Sequence, residues 1–405
     1  MQSCLKDECK RAVTYLKYTD VYKTLDEIRT PITMEPDRAL KNPGKIYYYN
    51  DLIFINEKNE GIHIFYNINP AAPLNLGFIP IPGNVDIAIR GDILYADNYM
   101  DLLAINISSI NNPVLEKRIE ATFNQFYDQG DGRFWVGYET EEVTEIVDCN
   151  DSRNGSWGPS VLSDGGFSEQ NAGFDNNGSA GGIGGSLARF SLYDHYLYAI
   201  DQSDIYIFDI NQLANPQEAG SENIGWGIET LYAFGDKLFV GSQNGMIIMD
   251  ASNPASPQYL SGYSHWTSCD PVFVKDNYAY VTLHSGTLCN GSEINQMDLI
   301  DITDILNPVL VKTFPMENPH GLSIKDNNLF LCEGAFGLKV FDIETPLTLD
   351  ERLINSFDVL SATDVIVLPG DRNILLVVGE DGFYQFGFDN PASLTALSFI
   401  PIERD

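Results

Sequence analysis

The chain has 405 residues, of which 44% are hydrophobic and 12% aromatic, a composition that suits a large core and excludes general disorder. Asp and Glu number 57 against 24 Lys and Arg, so the formal net charge is −33. This charge repels phosphate backbones and anionic membrane surfaces, which argues against a nucleic-acid partner. No stretch of the sequence approaches the roughly twenty apolar residues that span a bilayer.

The first residues carry a possible membrane attachment. Cys4 follows the small residue Ser3, as the first mature residue of a bacterial lipoprotein does, and its thiol is suited to carrying the lipid. The run Lys6-Asp7-Glu8 is similar to a short acidic signal that exports lipoproteins to the cell surface. We expect residues 1–41 to form an N-terminal tether and leading segment, with Cys4 as the only membrane attachment. The alternative is an ordinary thiol in a frayed terminus.

From residue 42 onward, one strand pattern recurs seven times. Each copy is an alternating apolar strand that ends near an Asp and is followed by an Asn-Pro or Thr-Pro pair. The seven copies lie at 62–68, 102–108, 205–211, 246–252, 297–303, 338–344 and 383–389. Proline cannot donate to a sheet ladder, so each pair marks the turn into another strand.

A hairpin with a tight turn precedes each of these strands. The turns are centred on Asn50, Gly91, Asp194, Gly235, Asp276, Asp326 and Gly370. Their spacing is 41 to 50 residues, apart from one interval of 103. Repeats of this length with four short strands are typical of propellers. We therefore predict an all-β fold, a seven-bladed β-propeller of four-stranded antiparallel blades over residues 42–405.

The long interval contains an insertion at 124–185, between the second and third blades. Its first part, 130–149, has the pattern of a hairpin, and the Gly-, Ser- and Asn-rich remainder reads as a loop. An eighth, degenerate blade is the alternative, but the segment lacks the Asn-Pro pair.

The repeated strands resemble those of the LVIVD-repeat proteins, a family of bacterial β-propellers that includes predicted lipoproteins of the Bacteroidetes. The resemblance extends from about Asn42 to Asp405 and includes stretches such as PGNVDIAI, GGSLARF and SCDPVFVKDNYAYVTL. It implies an outer-membrane lipoprotein of the cell envelope, either surface-exposed or periplasmic. It implies no catalytic signature, and propellers serve enzymes and binding proteins alike.

Aligning the repeats on their tight turns brings one polar residue per blade to the start of each inner strand. These ring residues are Lys45, Asp86, Arg189, Glu229, Asp270, His320 and Asp364. Because inner strands line the central channel, the ring residues should surround one mouth of it and could bind a polar ligand or a cation. The alternative is a hydrated rim without a ligand. The aromatic residues Trp226, His265 and Trp266 precede inner strands and could stack on a sugar or peptide.

Other candidate chemistry is sparse. His320 with Asp270 or Asp364 is the one arrangement that could support base catalysis. Segments 150–155 and 175–178 lack the distal Glu of a calcium loop, and CxxC spacing is absent, so we predict no metal and no cofactor. Among the six cysteines, Cys269 and Cys289 are the best candidates for a disulfide because both should lie on one face of one blade. Two buried thiols are the alternative.

These observations favour a non-catalytic binding or scaffolding lipoprotein, monomeric, whose ligand binds at one face of the propeller. The partner would be a polysaccharide, a peptide or an envelope protein. A hydrolase or lyase that acts at the channel mouth through the His/Asp pair is the alternative.

Overall fold

A computed structural model of the protein describes residues 10–126, 128–148, 183–184, 186, 188–264, 271–284 and 294–404. The described residues form two compact units. The smaller unit comprises those within 1–27 and 126–167, and the larger comprises those within 28–125 and 168–405. No helix among them is long and apolar enough to cross a membrane.

The smaller unit is an antiparallel ribbon of two long strands, β1 (Lys10–Thr24) and β10 (Arg133–Asp148). The sequence pattern predicted a hairpin within 130–149, but residues 133–148 form one strand that pairs with β1. Basic residues of β1 face acidic residues of β10, and Lys17 Nζ lies 3.5 Å from an oxygen of Glu141. A short helix, α1 (Leu25–Ile28), follows β1.

The larger unit consists of seven sheets, each with four strands in chain order, which confirms the predicted fold. Blade 1 contains β2 to β5, at Pro43–Tyr49, Leu52–Glu57, Gly61–Tyr66 and Leu74–Pro80. Blade 2 contains β6 to β9, at Ile87–Arg90, Ile93–Asn98, Asp101–Asn106 and Val114–Ile119. A short strand, β11 (Ile183–Gly184), pairs with β2 as a fifth strand of the first sheet.

The remaining five blades follow in chain order, each with four strands among the described residues. Blade 3 contains β12 to β15, at Phe190–Tyr193, Tyr196–Ile200, Asp204–Asp209 and Gln217–Asn223. Blade 4 contains β16 to β19, at Ile228–Phe234, Lys237–Ser242, Gly245–Asp250 and Gln258–Ser264. Blade 5 contains β20 to β23, at Val272–Lys275, Tyr278–Leu283, Gln296–Asp301 and Val309–Pro315.

The last two blades complete the ring. Blade 6 contains β24 to β27, at Leu322–Lys325, Asn328–Cys332, Leu338–Asp342 and Leu353–Phe357, with a 3-10 helix at Pro346–Glu351. Blade 7 contains β28 to β31, at Asp364–Val367, Ile374–Gly379, Gly382–Gly387 and Thr395–Pro401. We call the end where the inner strands begin the upper face, and the end with the tight turns the lower face.

All seven predicted tight turns have left-handed backbone. The residue named for each turn has a positive φ, from 47° at Asn50 to 71° at Gly370. Gly, Asn and Asp tolerate this region better than other residues, which explains why those types occupy the turns. The repeat at these positions therefore reflects backbone geometry.

The third strand of each blade is bulged against the fourth. The register shifts at one equivalent point in every sheet, for example between Ile207 and Phe208 or between Leu299 and Ile300. Apolar side chains of this strand are buried between neighbouring blades, and one continuous cluster joins Tyr232 of blade 4, Phe273 of blade 5 and Leu322 of blade 6. The core thus lies between the sheets, as radial packing requires.

Blades 7 and 1 close the ring through several polar contacts. The buried amides of Asn67 and Gln385 exchange two hydrogen bonds of 2.8 Å each. Arg372 donates to the Tyr48 hydroxyl at 2.8 Å and pairs with Asp51. The Glu403 amide donates to the carbonyl of Leu40. Chain segments more than 300 residues apart are thereby joined.

Residues 28–41, which precede the first repeat, are part of the larger unit. Arg29 Nε lies 2.8 Å from Oδ2 of the buried Asp101, and Arg118 lies 2.7 Å from the same oxygen. Leu40 is buried beside blade 7.

Candidate functional site

The predicted ring residues lie at the upper face, and most of them are buried. Lys45, Asp86, Arg189, Glu229 and Asp364 are each less than a tenth exposed, and His320 is partly buried. Asp270 lies outside the described residues. Side chains this well buried contact protein groups and present little surface to a ligand.

Three ring residues from blades 1, 2 and 3 converge. Lys45 Nζ lies 3.0 Å from Oδ2 of Asp86. The same oxygen accepts hydrogen bonds from the backbone amides of Arg189 and Phe190, at 2.6 and 2.8 Å. Burial lowers the pKa of Lys45 and Arg189 adds to that decrease, whereas Asp86 opposes it. The carboxylate of Asp86 is thus used to hold inner strands together.

The chain segment that leads into blade 3 contacts the inner strands of three other blades. Ile183 and Gly184 pair with Tyr48 and Tyr47 of blade 1. Ser186 Oγ accepts the amide of Leu322 in blade 6 at 2.8 Å. The carbonyl of Ala188 accepts the amide of Leu231 in blade 4, also at 2.8 Å. The described residues of this segment, 183–184, 186 and 188–190, therefore lie against inner strands and take up space inside the ring.

Buried acids at the end of the second strand bind backbone amides that precede the inner strand. Glu57 accepts from the amides of Lys41 and Asn42, and Glu333 accepts from those of Glu317 and Asn318. Asp97 accepts from Val85 and Asp86 at 2.8 and 3.0 Å. None of these three acids was singled out from the sequence, although each follows an apolar strand at the same place in its blade.

Two of these acids have shifted pKa values for different reasons. Burial raises the pKa of Asp97 to about 6, against the opposing effect of its two amide donors. Glu57 is also desolvated, but His63 and the two amides outweigh this and lower its pKa. His63 Nε2 lies 2.9 Å from an oxygen of Glu57, inside the core of blade 1.

The imidazole of His320 contacts Asn318 and His284. Its Nε2 lies 3.0 Å from the side-chain nitrogen of Asn318, and its ring centroid is 4.5 Å from that of His284. Burial, with a smaller contribution from His284, lowers the pKa of His320 to about 3. An imidazole of such low basicity, with Nε2 bound to an amide, is poorly suited to general-base catalysis near neutral pH.

The other two described ring residues also have protein neighbours. Glu229 accepts a hydrogen bond of 2.9 Å from Gln243 in the same blade. Asp364 lies against the backbone of Gly321, where a Cβ atom would come within 2.6 Å of its Oδ1. Because Gly321 has no Cβ atom, the carboxylate of Asp364 has room at this position.

A cavity of about 410 Å³ lies between blades 4 and 5. Its apolar wall consists of Leu283, Ile294 and Leu310, and its polar lining is Tyr263, Ser264, Gln296, Asp298 and Thr313. Ser264 ends the fourth strand of blade 4, and Gln296 begins the third strand of blade 5. Both strand ends belong to the upper face, so the cavity is at the face where ligand binding was predicted.

The carboxylate of Asp298 is the central polar group of this cavity. It accepts hydrogen bonds from Thr313 Oγ1 at 2.7 Å, from Gln296 Nε2 at 2.9 Å and from the Tyr263 hydroxyl at 3.5 Å. Asp298 is only 1% exposed. All three of these donors are neutral groups, so none of them supplies a positive charge to the buried carboxyl group.

The sequence contained a signal for this site. Counted back from the Asp that ends the third strand, position 298 corresponds to Tyr206 in blade 3 and Ile247 in blade 4. An acid within an otherwise apolar strand differs from these repeats. The cavity itself depends on two blades meeting, which the repeat pattern does not describe.

Several other predicted residues fall outside the described part of the chain. These are Cys4, Cys269, Cys289, His265 and Trp266, so lipidation and the disulfide remain predictions. Trp226 is described and is 56% exposed. Cys332 is a buried free thiol whose pKa is raised by burial, and among the described residues no group of three or more acids, histidines or cysteines could hold a metal ion.

Comparisons with known proteins support the fold. The computationally designed protein Ika8 is 10% identical, with 92% of each chain covered and a TM-score of 0.53. KlHsv2 with loop 6CD replaced by a Gly-Ser linker is 11% identical over 89% of this chain and 100% of that chain, with a TM-score of 0.50. BamB from Moraxella catarrhalis is 9% identical over 93% and 98% of the two chains, at 0.48.

At such low identity, the first two structures show similarity of fold and nothing about function. No curated protein matches the sequence. The LVIVD repeat family matches residues 184–223 and 230–264, which include all of blade 3 and most of blade 4. The chain is therefore a seven-bladed β-propeller that carries LVIVD repeats.

Proposed function

We propose that the protein is a non-catalytic binding protein whose partner occupies the cavity between blades 4 and 5, at the upper face. The observation that carries this proposal is the cavity of about 410 Å³ with the carboxylate of Asp298 in its lining. Binding sites combine an apolar wall with a few polar groups in this way. Propellers with repeated blades also suit a binding or scaffolding role.

The ring residues support the same proposal by elimination. Lys45 and Asp86 are paired, Glu229 is hydrogen-bonded to Gln243, and His320 has lost most of its basicity. These contacts favour a structural role for the ring over base catalysis. The described residues of the segment that leads into blade 3 further limit the room for a ligand inside the channel. This favours the cavity between blades 4 and 5 as the binding site.

The proposed location is the bacterial cell envelope, with the protein attached to the outer membrane through a lipid on Cys4. The residues around Cys4 and the similarity to LVIVD-repeat lipoproteins support this location. Replacing Cys4→Ser in the producing cell should move the protein from the membrane fraction to the soluble fraction. A Cys4→Ser protein that still sediments with membranes would contradict the lipid attachment.

Binding at the upper face is tested by filling the cavity. The Ser264→Trp variant places a large ring at the cavity, and the matched Leu306→Trp variant places the same ring on the lower face, at an exposed residue of blade 5. Saturable binding of the purified protein to envelope fractions should be lost in Ser264→Trp and kept in Leu306→Trp. Equal binding by both folded variants would refute the proposed site.

A further inference from the structure

We infer that the cavity between blades 4 and 5 recognises a cationic side chain, Lys or Arg, of a protein partner, with Asp298 as its counter-ion. This inference rests on the proposed function and adds the chemical class of the partner. It is carried by the surroundings of Asp298 and by the shape of the cavity wall.

The first step concerns charge. A buried carboxylate is costly unless a cation or several hydrogen bonds compensate it. Other buried acids of this chain are compensated in one of two ways. Asp97 and Asp201 each accept hydrogen bonds from two backbone amides, whereas Asp86 and Asp101 have cationic partners. Asp86 has Lys45 at 3.0 Å, and Asp101 has Arg29 and Arg118 at 2.8 and 2.7 Å. The described contacts of Asp298, by contrast, are with hydroxyl and amide groups.

The second step concerns the position of the carboxylate. Asp298 lines the cavity, so the missing positive charge can arrive from outside the protein. Gln296 and Thr313 hold the carboxylate in place by donating to Oδ1, and Tyr263 donates to Oδ2 over a longer distance of 3.5 Å. Oδ2 is therefore the oxygen with more capacity to accept a hydrogen bond from an ammonium or guanidinium group.

The third step concerns the walls. Leu283, Ile294 and Leu310 supply an apolar surface beside the carboxylate. Lys and Arg side chains bury their methylene stems on such surfaces and keep the charged group at a polar end. The ring of Tyr263 adds an aromatic face on which a cation can stack. The cavity thus offers separate places for the stem and for the charge.

The fourth step concerns attraction at long range. With a net charge of −33, the protein draws basic partners toward its surface and repels acidic ones. Among the described residues, the cavity lining includes a carboxylate and no Lys, Arg or His. An acidic polysaccharide would be repelled by the net charge at long range and by the Asp298 carboxylate within the cavity. A basic side chain would be attracted by both.

The test uses small probes of known charge with the whole protein. Nα-acetyl-arginine amide and Nα-acetyl-lysine amide are titrated by saturation-transfer NMR, with the neutral Nα-acetyl-citrulline amide as the isosteric control. We expect the two cations to bind and citrulline to bind much more weakly. Asp298→Asn should weaken binding of the cations by about tenfold or more, because a buried counter-charge is removed.

The matched control is Asp204→Asn, which removes one negative charge from the upper face at blade 3. The carboxylate of Asp204 accepts hydrogen bonds from the side chains of Ser203 and Asn223. This control variant should leave binding unchanged. Tyr263→Leu keeps the carboxylate and removes the ring, so it gives a second measurement if Asp298→Asn unfolds. We expect weaker binding in this variant as well.

Four results would overturn the inference. The first two are unchanged affinity in both cavity variants and equal affinity for the citrulline and arginine probes. The other two are no binding of either cation at millimolar concentration and preferential binding of a neutral oligosaccharide. If Ser264→Trp still abolished binding to envelope fractions in these cases, the proposed function would stand and only the class of partner would be wrong.

Discussion

Acidic side chains that bind backbone amides explain part of the protein's negative charge at the scale of single residues. Glu57, Asp97 and Glu333 each accept from amides that precede an inner strand. Such amides would otherwise be buried without an acceptor, at a cost of about 1–3 kcal/mol each. These three carboxylates are therefore part of the fold.

Asp97 should make stability depend on pH. Its pKa is raised to about 6, so between pH 4 and 6 the folded protein binds more protons than the unfolded chain. The free energy of unfolding should therefore fall as the pH rises through this range. The free energy of unfolding of Asp97→Asn, measured relative to that of wild type, should therefore rise by up to about 3 kcal/mol between pH 4 and pH 7.

Urea unfolding at several pH values measures this difference. The comparison between variant and wild type cancels the contributions of the other carboxyl groups. A difference that stays constant from pH 4 to 7 would show that Asp97 does not titrate in this range.

The ion pair of Lys45 and Asp86 should be important for stability. Lys45→Met removes the cation and leaves the buried Asp86 carboxylate without its partner, which should cost about 3–5 kcal/mol. Chemical denaturation of Lys45→Met gives the value, and the double variant with Asp86→Asn should recover part of the loss. A Lys45→Met protein as stable as wild type would contradict the pairing seen at 3.0 Å.

At the scale of elements, the Asp that ends the repeated strand forms a turn with its own backbone. Asp209, Asp250, Asp301 and Asp342 each accept the amide two residues ahead, at 2.8 or 2.9 Å. This explains why the repeat ends in Asp and is followed by a polar residue. The motif by itself thus describes a turn and carries no ligand.

Asp301→Ala should lose this turn at a cost of about 1 kcal/mol, whereas Asp301→Asn should keep most of it. Hydrogen bonds from Thr303 lower the pKa of Asp301. Its contribution is therefore present above the unfolded pKa and disappears as the pH falls through the lowered value. Thermal unfolding of the three proteins at pH 7 and at low pH measures both effects, and equal loss in Asn and Ala variants would contradict this role.

The elements show why the fold was predictable and the site was not. Left-handed turns, prolines and alternating apolar strands are local, so the blades could be read from short stretches such as 205–211. The pairing of β1 with β10 and the course of segment 183–190 join distant parts of the chain, and no local pattern encodes them. The ring alignment assigned Lys45 and Asp86 to equivalent positions of neighbouring blades, but it could not show that the two side chains form a buried ion pair.

At the scale of the whole molecule, closure depends on the contact of the last blade with the first. The side-chain amides of Asn67 and Gln385 donate hydrogen bonds to each other in the core. Among the described residues, the four strands of blade 7 and the four of blade 1 each come from one continuous stretch of the chain. Single changes, Asn67→Leu or Gln385→Leu, should each leave a buried amide without a partner and cost about 1–3 kcal/mol. The double variant should cost less than the sum of the two.

A double-mutant cycle by urea denaturation measures this coupling. Additive effects of the two substitutions would show that the amide pair contributes nothing to closure.

The central claim is that the partner binds at the upper face between blades 4 and 5. Amide hydrogen exchange of the whole protein, measured with and without the bound envelope fraction, tests it most directly. We predict slower exchange in β19 near Tyr263 and Ser264 and in β22 near Gln296 and Asp298, with the tight turns of the lower face unchanged. Protection confined to the lower face, or to blades 1 and 2, would contradict the claim.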